Sequence, residues 1–378
     1  MSLINYVTKI QFGYDSLQHL AAEAERAGIT RPLIVTDVGV RNAGIVDKVI
    51  AALGGLPPAI FDATPPNPNE HAVREAVAQY RSGECDGIIA VGGGSSIDLA
   101  KGVAVCATHE GPLLSFAVIE GGLDRITSAT APLIAIPTTA GTGSEVGRGA
   151  ILILDDGRKV GVISPYVVPR VAICDPELTL GLPPMLTAAT GMDAIAHCIE
   201  TFMAPAFNPA ADGIALDGLW RAWEHIERAT SEPGDREARM NMMSASMQGA
   251  LAFQKGLGCV HSLSHALGGI NPKLHHGTLN AIFLPAVVHF NANAPTVRGE
   301  RKLERLRHAM GLEADANIGA AIEDMTKRLG LPTRLSQIGV DESLFAGIVE
   351  GALHDHSHKT NPREASSADY LSMLEQSL

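Results

Sequence analysis

The first half of the chain alternates short apolar runs with helical patterns, and this alternation limits how the chain can fold. The runs at residues 32–36, 87–91 and 133–136 are rich in Leu, Ile, Val and Ala, and Asp, Gly or Pro follows each one. Short apolar runs of this kind are typical of parallel strands that are buried on both faces. The segments 16–27 and 69–82 carry apolar residues at helical spacing. The pattern therefore predicts a doubly wound α/β domain with a parallel sheet.

The character of the sequence changes near residue 180. Before this point, two β-like stretches at 149–154 and 160–163 flank Asp155-Asp156-Gly157, which predicts a hairpin turn. From residue 186 onward the sequence has long helical periodicity, rich in Ala, Met and Leu and interrupted by prolines. We therefore predict one α/β domain over residues 1–180 and one all-helical domain over residues 181–378.

Composition argues against several classes of function. The chain has 29 basic and 41 acidic residues, a formal net charge of −12, and no basic cluster, so we expect neither a nucleic acid nor a membrane as partner. No apolar run is long enough for a membrane-spanning helix, and the first six residues do not resemble a signal peptide. The five cysteines are scattered and lack CxxC spacing, which is typical of a reducing compartment. We expect a cytoplasmic protein.

A glycine-rich loop follows the apolar run at 87–91. Gly92, Gly93 and Gly94 let the backbone approach a bulky anion, and the N-terminus of the next helix offers N–H groups to a phosphate. Ser95 or Ser96 could cap that helix. Phosphate binding is the favoured interpretation, and a tight strand–helix turn is the alternative. The spacing differs from the GxGxxG fingerprint.

Two further features suit a nucleotide. Residues 137–145, Pro-Thr-Thr-Ala-Gly-Thr-Gly-Ser-Glu, crowd hydroxyl groups into one loop after the run at 133–136. Asp37 follows the run at 32–36, where a carboxylate can accept hydrogen bonds from a ribose hydroxyl and would repel a 2′-phosphate. The alternatives are an ordinary flexible loop at 137–145 and a turn or capping role for Asp37.

Several histidines and one aspartate cluster in the helical half. Asp193 and His197 are four residues apart, as are His261 and His265, which places each pair on one helix face. The triplet His-His-Gly at 275–277 follows. Burying so many titratable groups without a compensating ion would be costly. Since one carboxylate and three imidazoles suit Fe(2+) or Zn(2+), the pattern predicts a metal site.

Taken together, these motifs resemble those of the iron-containing (group III) alcohol dehydrogenase family. The shared pieces are the Gly-Gly-Gly-Ser-Ser loop with Asp98, residues 137–145 and the Asp and His motifs, and the resemblance continues to Thr-Asn-Pro-Arg at 360–363. It implies a Rossmann-like nucleotide-binding domain and an all-α metal-binding domain. It also implies a metal-dependent, NAD(P)-linked oxidoreductase that interconverts a primary alcohol and its aldehyde.

The resemblance further implies the site residues. The expected metal ligands are Asp193, His197, His261 and the histidine before Gly277. We favour His276 as the fourth ligand, with an insertion in loop 271–273, although counting forward from His265 would select His275. His265 corresponds to a histidine near the nicotinamide and is the expected catalytic proton relay. The expected nucleotide contacts are Asp37, Asn67, Gly93, Gly94, Ser95, Asp98, Thr138, Thr139, Thr142 and Lys159.

The sequence also leads to expectations about the cofactor, the substrate and the assembly. We expect NAD rather than NADP because of Asp37, Fe(2+) with Zn(2+) as an alternative, and a homodimer. A maleylacetate-reductase-like enzyme and a dehydroquinate-synthase-like lyase are alternatives on the same scaffold. A nucleotide sensor or a metal-storage protein is a non-catalytic alternative. Arg148 could hold an acidic group, which would make the substrate an ω-hydroxy acid or its semialdehyde, or it could lie on the outer face.

Overall fold

The computed structural model describes residues 8–378, so the prediction about the first six residues lies outside the described part. The chain forms two compact units. The sheet unit contains the described residues up to Thr139 together with Gly143–Gly181, and the helical unit contains Ala140–Thr142 and Leu182–Leu378. Within residues 8–378, no helix is long and apolar enough to cross a membrane.

The sheet unit is built on a parallel sheet. Its strands are β1 (Ile10–Phe12), β2 (Pro32–Val35), β3 (Ala59–Phe61), β4 (Gly87–Gly92), β5 (Leu133–Pro137), β6 (Gly149–Ile153), β7 (Lys159–Ile163) and β8 (Val171–Cys174). Six of them pair in parallel in the order β1-β8-β5-β4-β2-β3, and β6 and β7 form an antiparallel hairpin. The predicted α/β architecture and the predicted hairpin are therefore confirmed.

Both faces of the sheet are covered, which explains the continuous apolar runs. In β4, Ile88 and Ala90 pack into one apolar core, while Ile89 and Val91 pack into the other. Side chains alternate between the faces of a strand, so a strand covered on both sides is apolar at every position. The helices of this unit are α1 (Leu20–Ala27), α2 (Val38–Asn42), α3 (Ile45–Ala52), α4 (Glu70–Ser82) and α5 (Gly94–Cys106).

The register of the three central strands brings the predicted nucleotide loops together. Gly92 at the end of β4 lies opposite Pro137 at the end of β5, and Val35 of β2 lies opposite Ala90 of β4. The segments that follow β2, β4 and β5 therefore meet at the carboxyl edge of the sheet, where ligands of open α/β folds bind.

The second unit is helical, as predicted. Its helices are α6 (Pro184–Met203), α7 (Pro209–Ser231), α8 (Arg236–Ala252), α9 (Cys259–Ile270), α10 (His276–Asn291), α11 (Pro295–Gly299), α12 (Lys302–Ala309), α13 (Ile318–Arg328), α14 (Phe345–His354) and α15 (Ser367–Ser377). Proline starts α6, α7 and α11, where its missing N–H costs nothing. Helix α6 is buried from Thr187 to its end, so it forms the core of this unit.

Short 3-10 helices complete both units. They span Ser16–His19, Leu113–Phe116, Val118–Glu120, Gly122–Arg125, Pro165–Val167, Pro176–Thr179, Phe253–Lys255, Leu335–Ile338, Glu342–Leu344 and His356–Thr360. The last of these follows α14.

Candidate metal centre and nucleotide loops

Helix α6 carries two of the predicted metal ligands. Asp193 and His197 lie one turn apart on a buried face, with Nε2 of His197 3.7 Å from Oδ1 of Asp193. Helix α10 approaches α6 closely at this point because Gly277 has no side chain. A Cβ at Gly277 would lie only 2.0 Å from the carbonyl oxygen of Ala189 in α6. The glycine therefore allows the first turn of α10 to lie beside Asp193.

Helices α9 and α10 bring two more imidazoles to the same carboxylate. Nε2 of His261 and Nε2 of His276 each lie 3.7 Å from Oδ1 of Asp193. The rings of His261 and His197 stack with their centroids 4.7 Å apart. His275 precedes α10 and is exposed. The structure therefore places His276, rather than His275, with the other three predicted ligands.

Glu200 is a residue of this cluster that the sequence analysis missed. Its Oε2 lies 2.5 Å from Nδ1 of His261, and its Oε1 accepts a hydrogen bond from the backbone N–H of Val260 at 2.8 Å. Glu200 lies seven residues after Asp193, about two helical turns along the same face of an apolar helix. This spacing could have indicated that its carboxylate belongs to the cluster. With Nδ1 of His261 donating to Glu200, Nε2 is the ring nitrogen that faces Asp193.

The charges at the cluster favour a cation. Burial alone would raise the pKa of Asp193, but the neighbouring imidazoles, led by His197, outweigh it and hold the pKa well below its usual value. Burial lowers the pKa of His197 to about 4. Burial would also lower the pKa of His261, but Glu200 and Asp193 raise it to about 9, so a metal ion at Nε2 would displace a proton.

Asn280 completes the surroundings of Asp193 and was also missed. Its Nδ2 donates to Oδ1 of Asp193 at 2.7 Å and lies 3.4 and 3.2 Å from Nε2 of His261 and His276. Its Oδ1 is buried and has no hydrogen-bond partner among the described residues. An ionised carboxylate and converging imidazole nitrogens fit a divalent transition metal such as Fe(2+) or Zn(2+).

His265 lies beside the metal cluster. Its ring stacks on that of His276 with the centroids 5.3 Å apart and an interplanar angle of 11°. Its Nδ1 lies 2.9 Å from Oδ2 of Asp355, a third residue that the sequence analysis missed. Because Nδ1 donates to this carboxylate, the lone pair of the neutral ring is on Nε2.

The predicted ribose contact lies at the glycine-rich loop. Asp37 follows β2 and caps α2, since its Oδ1 accepts from the backbone N–H of Val40 at 3.0 Å. Its Oδ2 accepts a hydrogen bond from Oγ of Ser96 at 3.3 Å. Gly92 has a φ of 150°, and a Cβ there would lie 2.5 Å from Oγ of Ser96 and 3.5 Å from Oδ2 of Asp37. The capping alternative therefore holds, and the carboxylate still lies next to the loop.

One prediction about this loop is wrong. Gly93 is the N-cap of α5, which begins at Gly94, so neither Ser95 nor Ser96 caps the helix. Oγ of Ser95 donates to the carbonyl oxygen of Pro66 instead. The serines lie inside the first turn because the chain already adopts helical geometry at Gly94.

Two pairs of the other predicted nucleotide contacts lie close together. The N–H of Thr138 donates to the carbonyl oxygen of Gly92 at 3.0 Å, and a Cβ at Gly93 would lie 3.2 Å from the side chain of Thr139. Lys159 donates to Oδ1 of Asn67 at 3.3 Å. Thr142 falls in the short segment Ala140–Thr142 that belongs to the helical unit.

Asp98 holds the loop that precedes β6. Its carboxylate accepts from Oγ of Ser144 and from the N–H of Ile151. Lys101, which is fully buried, donates from Nζ to the carbonyl oxygens of Ser144, Gly147 and Gly149. These bonds give Asp98 a structural task in addition to the predicted contact with nucleotide. The side chain of Arg148, within this loop, is exposed.

Comparison with protein families decides which kind of protein contains these sites. The model of iron-containing alcohol dehydrogenase matches residues 7–176, and the model of the Fe-containing alcohol dehydrogenase family, C-terminal, matches residues 187–378. The chain belongs to the iron-containing alcohol dehydrogenase family. The resemblance found in the sequence is therefore confirmed.

Individual relatives support the same assignment. The chain is 64% identical to a 4-hydroxybutyrate dehydrogenase of Cupriavidus necator, with 100% of both chains covered. Among solved structures, a 1,3-propanediol oxidoreductase matches with a TM-score of 0.93 at 33% identity, with 100% of both chains covered. A sulfoacetaldehyde reductase of Bifidobacterium kashiwanohense in complex with NAD+ matches with a TM-score of 0.89 at 28% identity and covers 100% of this chain and 99% of that chain.

The family fixes the general chemistry of this alcohol dehydrogenase. It is an oxidoreductase that interconverts alcohols and aldehydes, as the sequence predicted. A nicotinamide dinucleotide and a divalent metal are the cofactors typical of the family. This favours the dehydrogenase over the lyase and sensor alternatives.

Proposed function

We propose that this alcohol dehydrogenase oxidises 4-hydroxybutyrate, or a primary hydroxy acid of similar length, to the corresponding semialdehyde with NAD. The proposal of a metal-dependent reaction rests on the three imidazoles that converge on Asp193. The whole-length identity of 64% to a 4-hydroxybutyrate dehydrogenase supports the substrate class. The reverse reduction uses the same groups.

We propose that Asp193, His197, His261 and His276 hold one Fe(2+), with Zn(2+) as the alternative ion. When bound, a divalent ion supplies Lewis acidity, which lowers the pKa of an alcohol hydroxyl. Glu200 fixes the orientation of His261. His265, held through Nδ1 by Asp355, would take the hydroxyl proton at Nε2, and a bound nicotinamide would supply the hydride acceptor.

The nucleotide is proposed to bind through residues 1–180, and the metal through residues 181–378. The proposed nucleotide contacts are Asp37, Asn67, Gly93, Gly94, Ser95, Asp98, Thr138, Thr139, Thr142 and Lys159. The N–H groups at the start of α5 suit the pyrophosphate. Arg41, the nearest cation after Asp37 in the sequence, forms an ion pair with Asp62 rather than facing a 2′-phosphate. This supports a preference for NAD over NADP.

The substrate proposal is tested by steady-state kinetics of the Fe(2+)-loaded enzyme. We expect 4-hydroxybutyrate to give net NADH formation with a kcat/KM at least tenfold above that for 1-butanol. Consumption of the substrate without net NADH would instead indicate a lyase. A higher kcat/KM for 1-butanol than for 4-hydroxybutyrate would refute the proposed substrate class.

The cofactor preference is tested at Asp37. Two like charges about 4 Å apart repel by ~4 kcal/mol at an effective dielectric constant near 20, so the wild type should favour NAD by tenfold or more. Asp37→Gly should reduce or reverse this ratio without changing the metal content. The measurement is kcat/KM for both cofactors in both proteins. Equal efficiency with NAD and NADP in the wild type would show that Asp37 does not contact the ribose.

We also propose a cytoplasmic location and a homodimer. Scattered free cysteines support a reducing, cytoplasmic location, and the family resemblance supports a homodimer. Light scattering coupled to gel filtration would test the assembly, since a monomer at micromolar concentration would contradict it.

A further inference from the structure

We propose that His356 forms a subsite for the carboxylate of the hydroxy-acid substrate, close to the metal cluster. The inference rests on the proposed function, because it assigns the acid end of that substrate to a residue. It concerns the segment 354–359, whose sequence His-Asp-His-Ser-His-Lys places three histidines and a lysine within six residues. Of these residues, only Asp355 belongs to the candidate site described above.

The three histidines of this segment face different surroundings. Nδ1 of His354 lies 2.8 Å from the carbonyl oxygen of Glu350, and His354 is exposed. Nδ1 of His358 lies 2.9 Å from the hydroxyl of Tyr370. The ring of His356 instead stacks on His265, with the centroids 5.6 Å apart and an interplanar angle of 22°. His356 is thus the histidine of the segment that adjoins the proposed catalytic residue.

Three imidazoles form a row that leads away from the metal cluster. His276 stacks on His265, and His265 stacks on His356. Exposure of the side chain rises from 10% at His265 to 37% at His356. The outer end of the row is therefore open to a ligand, while its inner end is a proposed metal ligand.

Nε2 of His356 is available as a hydrogen-bond donor. Oδ2 of Asp355 accepts a hydrogen bond from Nδ1 of His265 at 2.9 Å but lies 3.5 Å from Nδ1 of His356, and no hydrogen bond joins Asp355 to His356. Nε2 of His356 makes no hydrogen bond to any residue in the range 8–378. Because Nδ1 of His356 is not held as a donor, the neutral ring can carry its proton at Nε2, where the N–H can donate to a carboxylate.

Lys359 adds positive charge on the same side. His356 and Lys359 are three residues apart in the 3-10 helix His356–Thr360, and residues i and i+3 eclipse one another in a 3-10 helix. Lys359 is exposed. A carboxylate beside His356 would therefore also meet a permanent cation.

The dimensions select hydroxy acids of about four carbons. With C–C bonds of about 1.5 Å, an extended 4-hydroxybutyrate spans roughly 6 Å from its hydroxyl to its carboxylate oxygens. The two ring-to-ring steps of the row, 5.3 and 5.6 Å, separate the rings of His276 and His356 by at most about 11 Å. A four-carbon hydroxy acid with a polar contact of about 2–3 Å at each end bridges about 11 Å, and a two-carbon hydroxy acid would be too short.

The test compares variants of the Fe(2+)-loaded enzyme on an acidic and a neutral alcohol. For His356→Gln, the ratio of kcat/KM for 4-hydroxybutyrate to kcat/KM for 1,4-butanediol should fall about tenfold or more, since a charge-assisted hydrogen bond is lost. His354→Gln, a matched change in the same segment, should leave the ratio within twofold. Arg148→Gln tests the other candidate for the acid group.

Inhibition by butyrate separates this inference from the proposed function. Butyrate carries the carboxylate but no hydroxyl, and its inhibition constant against 1,4-butanediol should rise about tenfold in His356→Gln. This holds even if 4-hydroxybutyrate proves not to be a substrate, in which case only the proposed substrate fails. An unchanged ratio and an unchanged inhibition constant in His356→Gln would refute the subsite, as would losses that appear only in Arg148→Gln.

Discussion

Asp193 is the residue around which the metal cluster is arranged. One of its oxygens lies 3.7 Å from Nε2 of each of three histidines, and Asn280 donates to the same oxygen. Removing a partner of a buried carboxylate is destabilising, because the desolvated negative charge then lacks compensation. Single residues in this cluster should therefore have large effects.

The two adjacent histidines give the sharpest comparison at this scale. His276→Ala should lower the affinity for the metal by at least ~100-fold, since three remaining ligands hold the ion less tightly. His275→Ala should change it less than threefold, because His275 is exposed and precedes α10. Elemental analysis after dialysis, with competition against a chelator, measures both. If His275→Ala loses the ion while His276→Ala keeps it, the assigned fourth ligand is incorrect.

At the scale of elements, Glu200 joins α6 to α9. One carboxylate oxygen accepts a hydrogen bond from Nδ1 of His261, and the other accepts one from the backbone N–H of Val260 in the first turn of α9. A Cβ at Gly258, the N-cap of α9, would lie 2.9 Å from Oε1 of Glu200. The close approach of the two helices therefore depends on this glycine and on a single acidic side chain.

Glu200→Gln and Glu200→Ala should separate the two tasks of this side chain. The amide keeps one acceptor oxygen, for the N–H of Val260, but it replaces the charged oxygen that faces Nδ1 of His261 by an NH2 group. Metal affinity should therefore fall about 10–100-fold, and the visible spectrum of the Co(2+)-substituted enzyme should shift. Glu200→Ala should also lose about 1 kcal/mol of stability, because an N–H at the start of α9 loses its acceptor. Denaturant unfolding and cobalt spectroscopy measure these effects.

Glu224→Gln, on the exposed side of α7, is the matched control and should change neither property. An unaltered cobalt spectrum and unaltered affinity in Glu200→Gln would limit Glu200 to a structural task.

At the scale of the whole molecule, the proposed metal ligands all lie in the helical unit, whereas most proposed nucleotide contacts lie in the sheet unit. The core of the sheet unit consists of two apolar clusters, one on each face of the parallel sheet. A ligand that binds only the folded state stabilises the unit that holds it.

Removal of the metal should therefore weaken the helical unit selectively. At a free metal concentration of about 100 times Kd, binding contributes about 2.7 kcal/mol, which chelation removes. Hydrogen exchange followed by mass spectrometry should show faster exchange in α6, α9 and α10, and little change in β2, β4 and β5. Equal loss of protection in both sets of elements would contradict a metal site confined to the helical unit.

The sequence by itself determined the features that repeat over short distances. The apolar runs predicted β2, β4 and β5, because burial on both faces leaves a local signature, and the turn at Asp155-Asp156-Gly157 predicted the β6–β7 hairpin. The spacing of Asp193 and His197, and of His261 and His265, indicated shared helix faces because residues four apart lie on the same side of a helix. By contrast, β1 and β3 have only three residues each, too few for a pattern, and pairing with other strands determines them.

Only the tertiary structure decided which side chains meet. His276 rather than His275 turns toward Asp193, because the close contact at Gly277 sets where α10 begins. Glu200 meets His261 across 61 residues, and His265 meets Asp355 across 90 residues, so no local spacing could pair them. Local periodicity records which face of an element is buried. The partners on that face depend on packing between elements that are far apart in the chain.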